Sequence, residues 1–327
     1  MNKVSVAFIT DRHYIIPTVV AVTSLLCNKK PDTYYDIYII AADLSDDDTE
    51  KFLELRGSGA GIHVIKASLE RFKGMRESIS GYITFAVYLK FDLPDLIPDQ
   101  DKVLYLDSDI IIQKDLSEFF ETNIKDDYAG VVKDIALIDN ELNIKNYFNA
   151  GVMLLNLKLM RKNGASGALH NIAASSGRLK FMDQDCFNLF FNNKVKLFPA
   201  IYNCFYNLFL EQKEKYTIES INKCFETDYS SLDNLKRESY IIHLVGSDKP
   251  WVYYNSIFAG EWDEYFKKSP LKLYRLKRKS IKLREFVFSH NWTYVPYFLF
   301  KYWRYNGFKF VMSKAGKRLL RIFLPRQ

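Results

Sequence analysis

Apolar positions along the chain alternate between two rhythms. Val4 to Ile9 is a short run, apolar but for Ser5, the mark of a strand buried on both faces. Ile15, Val19, Val22, Leu25 and Leu26 then recur at helical spacing, so the chain opens as strand, turn and helix. Asp36 to Ala41 reads as a second strand. Ser45 with Asp46, Asp47 and Asp48 behind it is a helix start, its acids where the helix dipole favours them, and Ile62 to Lys66 supplies a third strand. Further on, the pattern predicts a helix over Tyr82–Leu93, a strand over Val103–Leu106 and strands at Ala129–Val132 and Val152–Leu157. It also predicts helices over Leu159–Ser175 and Asp183–Phe191 and a last strand over Tyr240–Val245. Strand and helix in alternation imply an α/β fold: a mostly parallel sheet with helices on both faces, binding ligands at the carboxyl ends of its strands.

Composition narrows the class. At 327 residues and 48% hydrophobic, the chain can bury a full core. No linker rich in Pro, Gly or Ser interrupts it before about residue 265. The expected organisation is one catalytic domain over 1–265 and a basic aromatic tail over 266–327. The cysteines, Cys27, Cys186, Cys204 and Cys224, are scattered without a CxxC pair, which fits a reducing compartment and not a zinc site or disulfide framework. No apolar run is long enough for a signal-peptide core or a membrane span, so the expected location is cytoplasmic.

The net charge of +7 conceals an asymmetry. Residues 271–327 hold 15 Lys and Arg against the single acid Glu285, and the remaining 31 basic residues face 38 acids. An acidic body thus carries a basic tail rich in Trp, Phe and Tyr. Met312, Ala315, Leu319, Leu320 and Phe323 roughly follow helical spacing opposite Lys314, Lys317, Arg318 and Arg321, the pattern of a helix lying on an anionic membrane surface. Nucleic acid, the other partner of basic aromatic surfaces, fits the catalytic signature described next less well.

That signature begins at Asp107 and Asp109, separated only by Ser108 at the end of an apolar strand. Asp-x-Asp commonly caps turns on a solvated surface. Inside LYLDSDIII the same acids would repel each other at the mouth of a sheet, a conflict that a divalent cation relieves. His243, in a second apolar stretch, suits manganese better than magnesium alone as a further ligand, although a strand histidine is more often a core residue. Gly246 and Lys249 follow, a flexible backbone and a point charge suited to phosphate.

With these blocks in order, LYLDSD at 104–109, FNAG at 148–151, DQD at 183–185 and His243-x-x-Gly246-x-x-Lys249-Pro-Trp251, the sequence resembles glycosyltransferase family 8 from about Val4 to Trp262. That family includes bacterial lipopolysaccharide galactosyl- and glucosyltransferases and glycogenin. The resemblance implies a GT-A fold, a UDP-sugar donor, a manganese-type cation (Mn2+, with Mg2+ as the alternative) and retention of anomeric configuration. It implies that Asp107, Asp109 and His243 ligate the cation, and that Gly246 and Lys249 hold the pyrophosphate. Asp11 and Tyr14 would meet uracil and ribose with Ser108 beside the ribose, and Asp134, Asn149, Asp183 and Gln184 would hold the transferred sugar. For Asp183, capping of the following helix is an equal reading. Lys90 stands where the family usually has an arginine that touches donor phosphate and sugar, and His13 where relatives often carry asparagine.

The function expected is therefore transfer of a glucose or galactose from a UDP-sugar to a saccharide acceptor, lipid-linked, in lipopolysaccharide or other surface-glycan synthesis. Same-face attack is the favoured route to retention, since the sequence offers no carboxylate pair of the glycosidase kind. Loops near 135–148 and 200–230 would select the acceptor. The alternatives are a metal-dependent nucleotidyltransferase, disfavoured because Thr10–Pro17 holds no glycine for a phosphate loop, and a non-enzymatic peripheral membrane protein.

Overall fold

A computed structural model describes residues 2–57, 59–72, 85–175 and 179–281. The chain opens as β1 (Asn2–Thr10), α1 (Ile15–Cys27), β2 (Thr33–Ala42), α2 (Asp46–Leu53) and β3 (Ala60–Ala67). Side chains of β1 are buried without interruption from Val4 to Thr10. They feed two cores: Val4, Val6 and Phe8 point to one, Ala7 and Ile9 to the other, the alternation a pleated strand imposes. In α1 the buried hydroxyls of Thr18, Thr23 and Ser24 bond back to the carbonyls of Tyr14, Val19 and Ala21, so burial leaves them satisfied. Ser45 caps α2 by accepting from Asp48 N at 3.2 Å, with the three acids in its first turn.

Beyond the described gap the predicted Tyr82–Leu93 helix takes another form. Residues 82–84 lie outside the described residues, Phe85–Asp92 is a 3-10 helix, and a short α3 (Leu93–Leu96) begins with Pro94 in its first turn. The chain continues through β4 (Val103–Leu106), β5 (Ile110–Ile112), α4 (Ser117–Glu121), β6 (Ala129–Lys133) and β7 (Phe148–Leu155). The single helix predicted over Leu159–Ser175 is two, α5 (Leu157–Lys162) and α6 (Ala165–Ser175), divided at Gly164, whose φ of +59° no regular right-handed helix accommodates. Then come α7 (Met182–Phe191), β8 (Val195–Phe198), α8 (Tyr206–Glu211), α9 (Ile218–Phe225), α10 (Leu232–Glu238), β9 (Ile241–His243) and α11 (Ala259–Lys268).

The described strands form a seven-stranded sheet of order β3-β2-β1-β4-β7-β6-β8, parallel except for β7, which runs antiparallel to both β4 and β6. Strand order reverses its direction of growth between β1 and β4, the switch point at which such sheets open a crevice. There Phe8 pairs with Leu106, so Asp11 and Asp107, just past the two strand ends, emerge side by side. A separate ribbon pairs β5 with β9, setting Ile110 opposite His243.

After α11 the described chain does not leave the body. Leu271 and Ile281 are buried, and Ile281 N donates to Asn255 Oδ1 at 2.9 Å. The Arg278 guanidinium reaches Asp263 at 2.5 Å and lies 5.0 Å from the Trp262 ring centroid. The remainder of the predicted membrane-associating tail, including Trp303 and the patterned stretch near Phe323, lies outside the described residues. Among the described residues no helix is long and apolar enough to cross a membrane.

Candidate active site

The crevice at the switch point is a cleft of about 650 Å³. Asp11, Tyr14, Lys90, Asp107, Ser108, Asp109, Asn149, Asp183, Gln184, His243, Gly246 and Lys249 all line it. Asp134, named with them from the sequence, stands behind the wall instead, accepting from Gln184 Nε2 at 3.1 Å, and burial pushes its carboxyl above the usual range.

Two elements deliver the acids and the histidine. β4 ends at Leu106, and Asp107 N donates to Gly151 O at 2.7 Å, which turns the first carboxylate into the cleft. The ribbon of β5 and β9 carries Asp109 and His243 at one end, where Leu244 N donates to Asp109 O at 2.8 Å. One ligand atom from each of Asp107, Asp109 and His243 can lie within 4.8 Å of the others. Gly151 makes room for this: a Cβ there would stand 2.3 Å from His243 Cε1 and 2.7 Å from Asp107 Oδ2. Two carboxylates and an imidazole at this spacing fit a hard to borderline divalent cation such as manganese.

Lysines flank the acids. Lys249 Nζ sits 2.6 Å from Asp109 Oδ2, and Lys90 Nζ bridges Asp107 at 3.1 Å and Asp183 at 2.7 Å. Burial alone would raise Asp109, but Lys249 and His243 prevail and hold its carboxyl well below the usual carboxylate range. Burial would likewise strip Lys90 of its proton; Asp107 and Asp183 prevail, keeping it charged. For Asp183 burial wins over Lys90, and its carboxyl is pushed up.

Asp183 and Gln184 open helix α7, yet Asp183 is not its cap. Phe181 holds the capping position, and Met182 adopts a left-handed φ of +41°. Asp185 pins this turn by accepting from Lys180 N at 2.8 Å and Phe181 N at 2.9 Å while Tyr147 donates its hydroxyl to the other oxygen. One turn on, Asn188 bonds both backbone groups of Phe148 at 2.9 Å, stitching α7 to the strand that carries Asn149.

On the opposite wall, Asp11 Oδ1 accepts from His13 N at 2.8 Å and Tyr14 N at 3.2 Å, an Asx turn that starts α1. Ser108 bonds Thr18 Oγ1 at 2.7 Å, tying the acid loop to α1. Gly246 takes a φ of +87°, the conformation that favours glycine there. His13 is exposed and outside the cleft lining. The pattern of the sequence did not single out Tyr105, whose hydroxyl donates to Asp107 at 2.5 Å, Asn203, or the wall residues Lys180, Phe181 and Met182. Asn203 follows an irregular 3-10 turn and carried no signal; Tyr105 alternates with Asp107 on one strand face and was discoverable from that register.

The fold is that of solved glycosyltransferases. The fold matches that of the galactosyltransferase LgtC, solved in complex with donor and acceptor sugar analogs, with a TM-score of 0.69 and 24% identity over 81% of this chain and 96% of that one. It also matches the bifunctional glycosyltransferase WbbM, with a TM-score of 0.67 and 19% identity over 83% of this chain and 51% of the other. Residues 5–255 match glycosyl transferase family 8, and the chain belongs to that family. Among its relatives is the lipopolysaccharide 1,2-glucosyltransferase of Escherichia coli, 30% identical over 74% of this chain and 71% of the relative. Another is the lipopolysaccharide 1,3-galactosyltransferase of Salmonella typhimurium, 24% identical over 98% and 92%. The chain is a glycosyltransferase, and neither a nucleotidyltransferase nor a non-enzymatic membrane protein is favoured.

Proposed function

We propose that this chain transfers a glucose or galactose from a UDP-sugar to a saccharide acceptor with retention, in lipopolysaccharide or related surface-glycan synthesis. The observation that carries the reading is the convergence of Asp107, Asp109 and His243 within 4.8 Å at the cleft, with Lys249 against Asp109. Family membership and the names of the relatives support it. A divalent cation held by these residues would take up the negative charge that gathers on the diphosphate as the sugar departs.

The chain's own groups divide the rest of the work. Lys249, which pairs with Asp109 and the Leu244 carbonyl, is placed to meet a pyrophosphate oxygen, with Gly246 beside it. Asp11, Tyr14 and Ser108 form the wall assigned to the nucleoside. Asn149, Gln184 and Asp183 face the sugar side with Asp134 behind them, and Lys90 joins the two sides. The Gln184 amide is held on both sides: its oxygen accepts from Asn149 Nδ2 and Ala150 N, and its nitrogen donates to Asp134. It therefore orients the site and is unsuited to attack carbon. That favours same-face attack, the acceptor's proton leaving to the departing phosphate oxygen. The acceptor is lipid-linked on this reading, and the basic chain beyond Ile281 holds the enzyme at the cytoplasmic face of an anionic membrane.

Purified protein with manganese is expected to release UDP slowly from UDP-glucose or UDP-galactose in the absence of acceptor. Asp109→Asn should reduce that release at least 100-fold. Full activity of this variant at saturating donor and manganese overturns the cation assignment.

A further inference from the structure

Behind the His243 imidazole runs a directed chain of hydrogen bonds whose sense is fixed at three points by groups of unambiguous polarity. Gly151 N–H donates to Asn149 Oδ1 at 2.9 Å, Ala150 N–H donates to Gln184 Oε1 at 3.2 Å, and the Asp134 carboxylate accepts from Gln184 Nε2 at 3.1 Å. Asn149 Oδ1, fixed as an oxygen, takes its second hydrogen bond from Asn203 Nδ2 at 3.0 Å. Asn203 therefore turns its carbonyl oxygen to His243, whose Nδ1 lies 2.9 Å away. An amide oxygen only accepts, so Nδ1 carries a proton, and Nε2 is the ring nitrogen left to meet a cation. Nε2 is the atom that faces Asp109 at 3.1 Å and Asp107 at 4.0 Å.

We propose that Asn203 is a positioning residue: it fixes His243 as the Nδ1–H tautomer and couples the Asn149–Gln184–Asp134 network to the cation-binding side of the cleft. The proposal deepens the function stated above and rests on its reading of Asp107, Asp109 and His243 as cation ligands. An outer partner of this kind sets both ring orientation and the nitrogen offered to a metal. Asn203 is 2% exposed, and its side chain is separable from the backbone that places it. Cys204 N donates to Ile241 O at 3.0 Å and His243 N to Cys204 O at 2.9 Å, so the backbones of 203 and 243 stay together when the side chain is changed. The amide bonds both the imidazole and Asn149, which places it where sugar-side geometry and cation-side geometry meet.

The first test needs neither metal nor substrate. Long-range proton–nitrogen correlation spectra of metal-free, nitrogen-labelled protein are expected to show a proton held on Nδ1 of His243, and to show Nδ1 partly deprotonated in Asn203→Ala. The second is calorimetric titration with manganese: Asn203→Ala should bind roughly 10- to 100-fold more weakly than the wild type. Asn203→Asp, whose carboxylate still accepts from Nδ1, should restore that affinity but lower kcat for donor hydrolysis, because Asn149 Oδ1 loses its donor. A wild-type ring with no proton on Nδ1, or Asn203→Ala with unchanged Nδ1 protonation and manganese affinity, overturns the proposal. Wild-type protein that shows the Nδ1–H tautomer yet binds no manganese upholds the tautomer assignment and overturns the cation reading instead.

Discussion

The Lys90 ammonium lies 2.7 Å from the Asp183 carboxylate, with the lysine side chain 4% exposed. A buried pair of this kind stabilises little relative to an apolar replacement of both partners, but removing one partner strands the other. Lys90→Met is expected to destabilise the protein by about 3–5 kcal/mol at neutral pH. The pH dependence has a definite sign. Asp183 has a folded-state pKa raised above its ordinary 3.8, so its contribution favours folding below that value and declines as pH rises through the raised one. Loss of Lys90 raises it further, so the penalty should shrink as the solution is acidified from pH about 7 to about 5. Urea unfolding at the two pH values measures this, and an unchanged penalty contradicts it.

Gly151 makes a second, steric prediction. Its missing Cβ leaves the space in which His243 and Asp107 approach, and the residue lies inside a strand paired to both neighbours, so the backbone has little freedom to retreat. Gly151→Ala should destabilise the fold by about 1–3 kcal/mol, the range for overpacking. It should also weaken manganese binding at least tenfold by displacing the imidazole. Calorimetry and thermal melting separate the two effects; manganese affinity equal to the wild type would contradict the steric argument.

Asp185 was visible in the sequence only as the last letter of a motif, and its contacts give it a purpose. It holds the turn at Met182 with φ in the left-handed region, a conformation that stores on the order of 1–3 kcal/mol and persists only where its surroundings enforce it. Asp185→Asn keeps one acceptor and surrenders the other. Donor hydrolysis should fall at least tenfold in kcat, while the affinity for UDP, which the proposed function assigns to the opposite wall, stays within about threefold. Equal loss of both would mean that the change unfolds the site and does not merely release the turn.

Some parts of the molecule are disclosed by its sequence and others are not. The β1-α1-β2-α2-β3 succession was legible because each element keeps its own period, from the mostly apolar Val4–Ile9 run to the Ser45 cap. Asp107, Asp109, His243 and Lys249 were legible as a group because charge inside apolar strands is costly and asks for a partner. What escaped depends on long-range pairing or single dihedrals. Nothing local to Ile110–Ile112 says that it leaves the main sheet to pair with Ile241–His243, and nothing in Phe148–Leu155 says that it runs antiparallel. The break at Gly164 rests on one φ angle. Asn203 could not be found by pattern, because its importance lies in two hydrogen bonds to residues 40 and 54 positions away.

The basic C-terminal chain was assigned a beginning near residue 266 on composition, and the contacts of residues 271–281 alter where a truncation should fall. Leu271 and Ile281 are buried, Arg278 covers Trp262 and pairs with Asp263, and Asn255 clasps both backbone groups of Ile281. Removing everything after residue 270 would expose apolar surface from two buried side chains, each contributing about 1.5–3 kcal/mol, and would strand Asp263. That form should melt several degrees lower and lose donor hydrolysis through instability. Removal after Ile281 keeps every one of these contacts. It should retain the melting temperature and UDP release of the full chain while its sedimentation with vesicles rich in anionic lipid falls markedly, since most of the clustered aromatic residues lie beyond that point. Vesicle binding by the 1–281 form equal to that of the full chain would place the membrane contact elsewhere, on the exposed Leu273 and Tyr274 and the lysines around them.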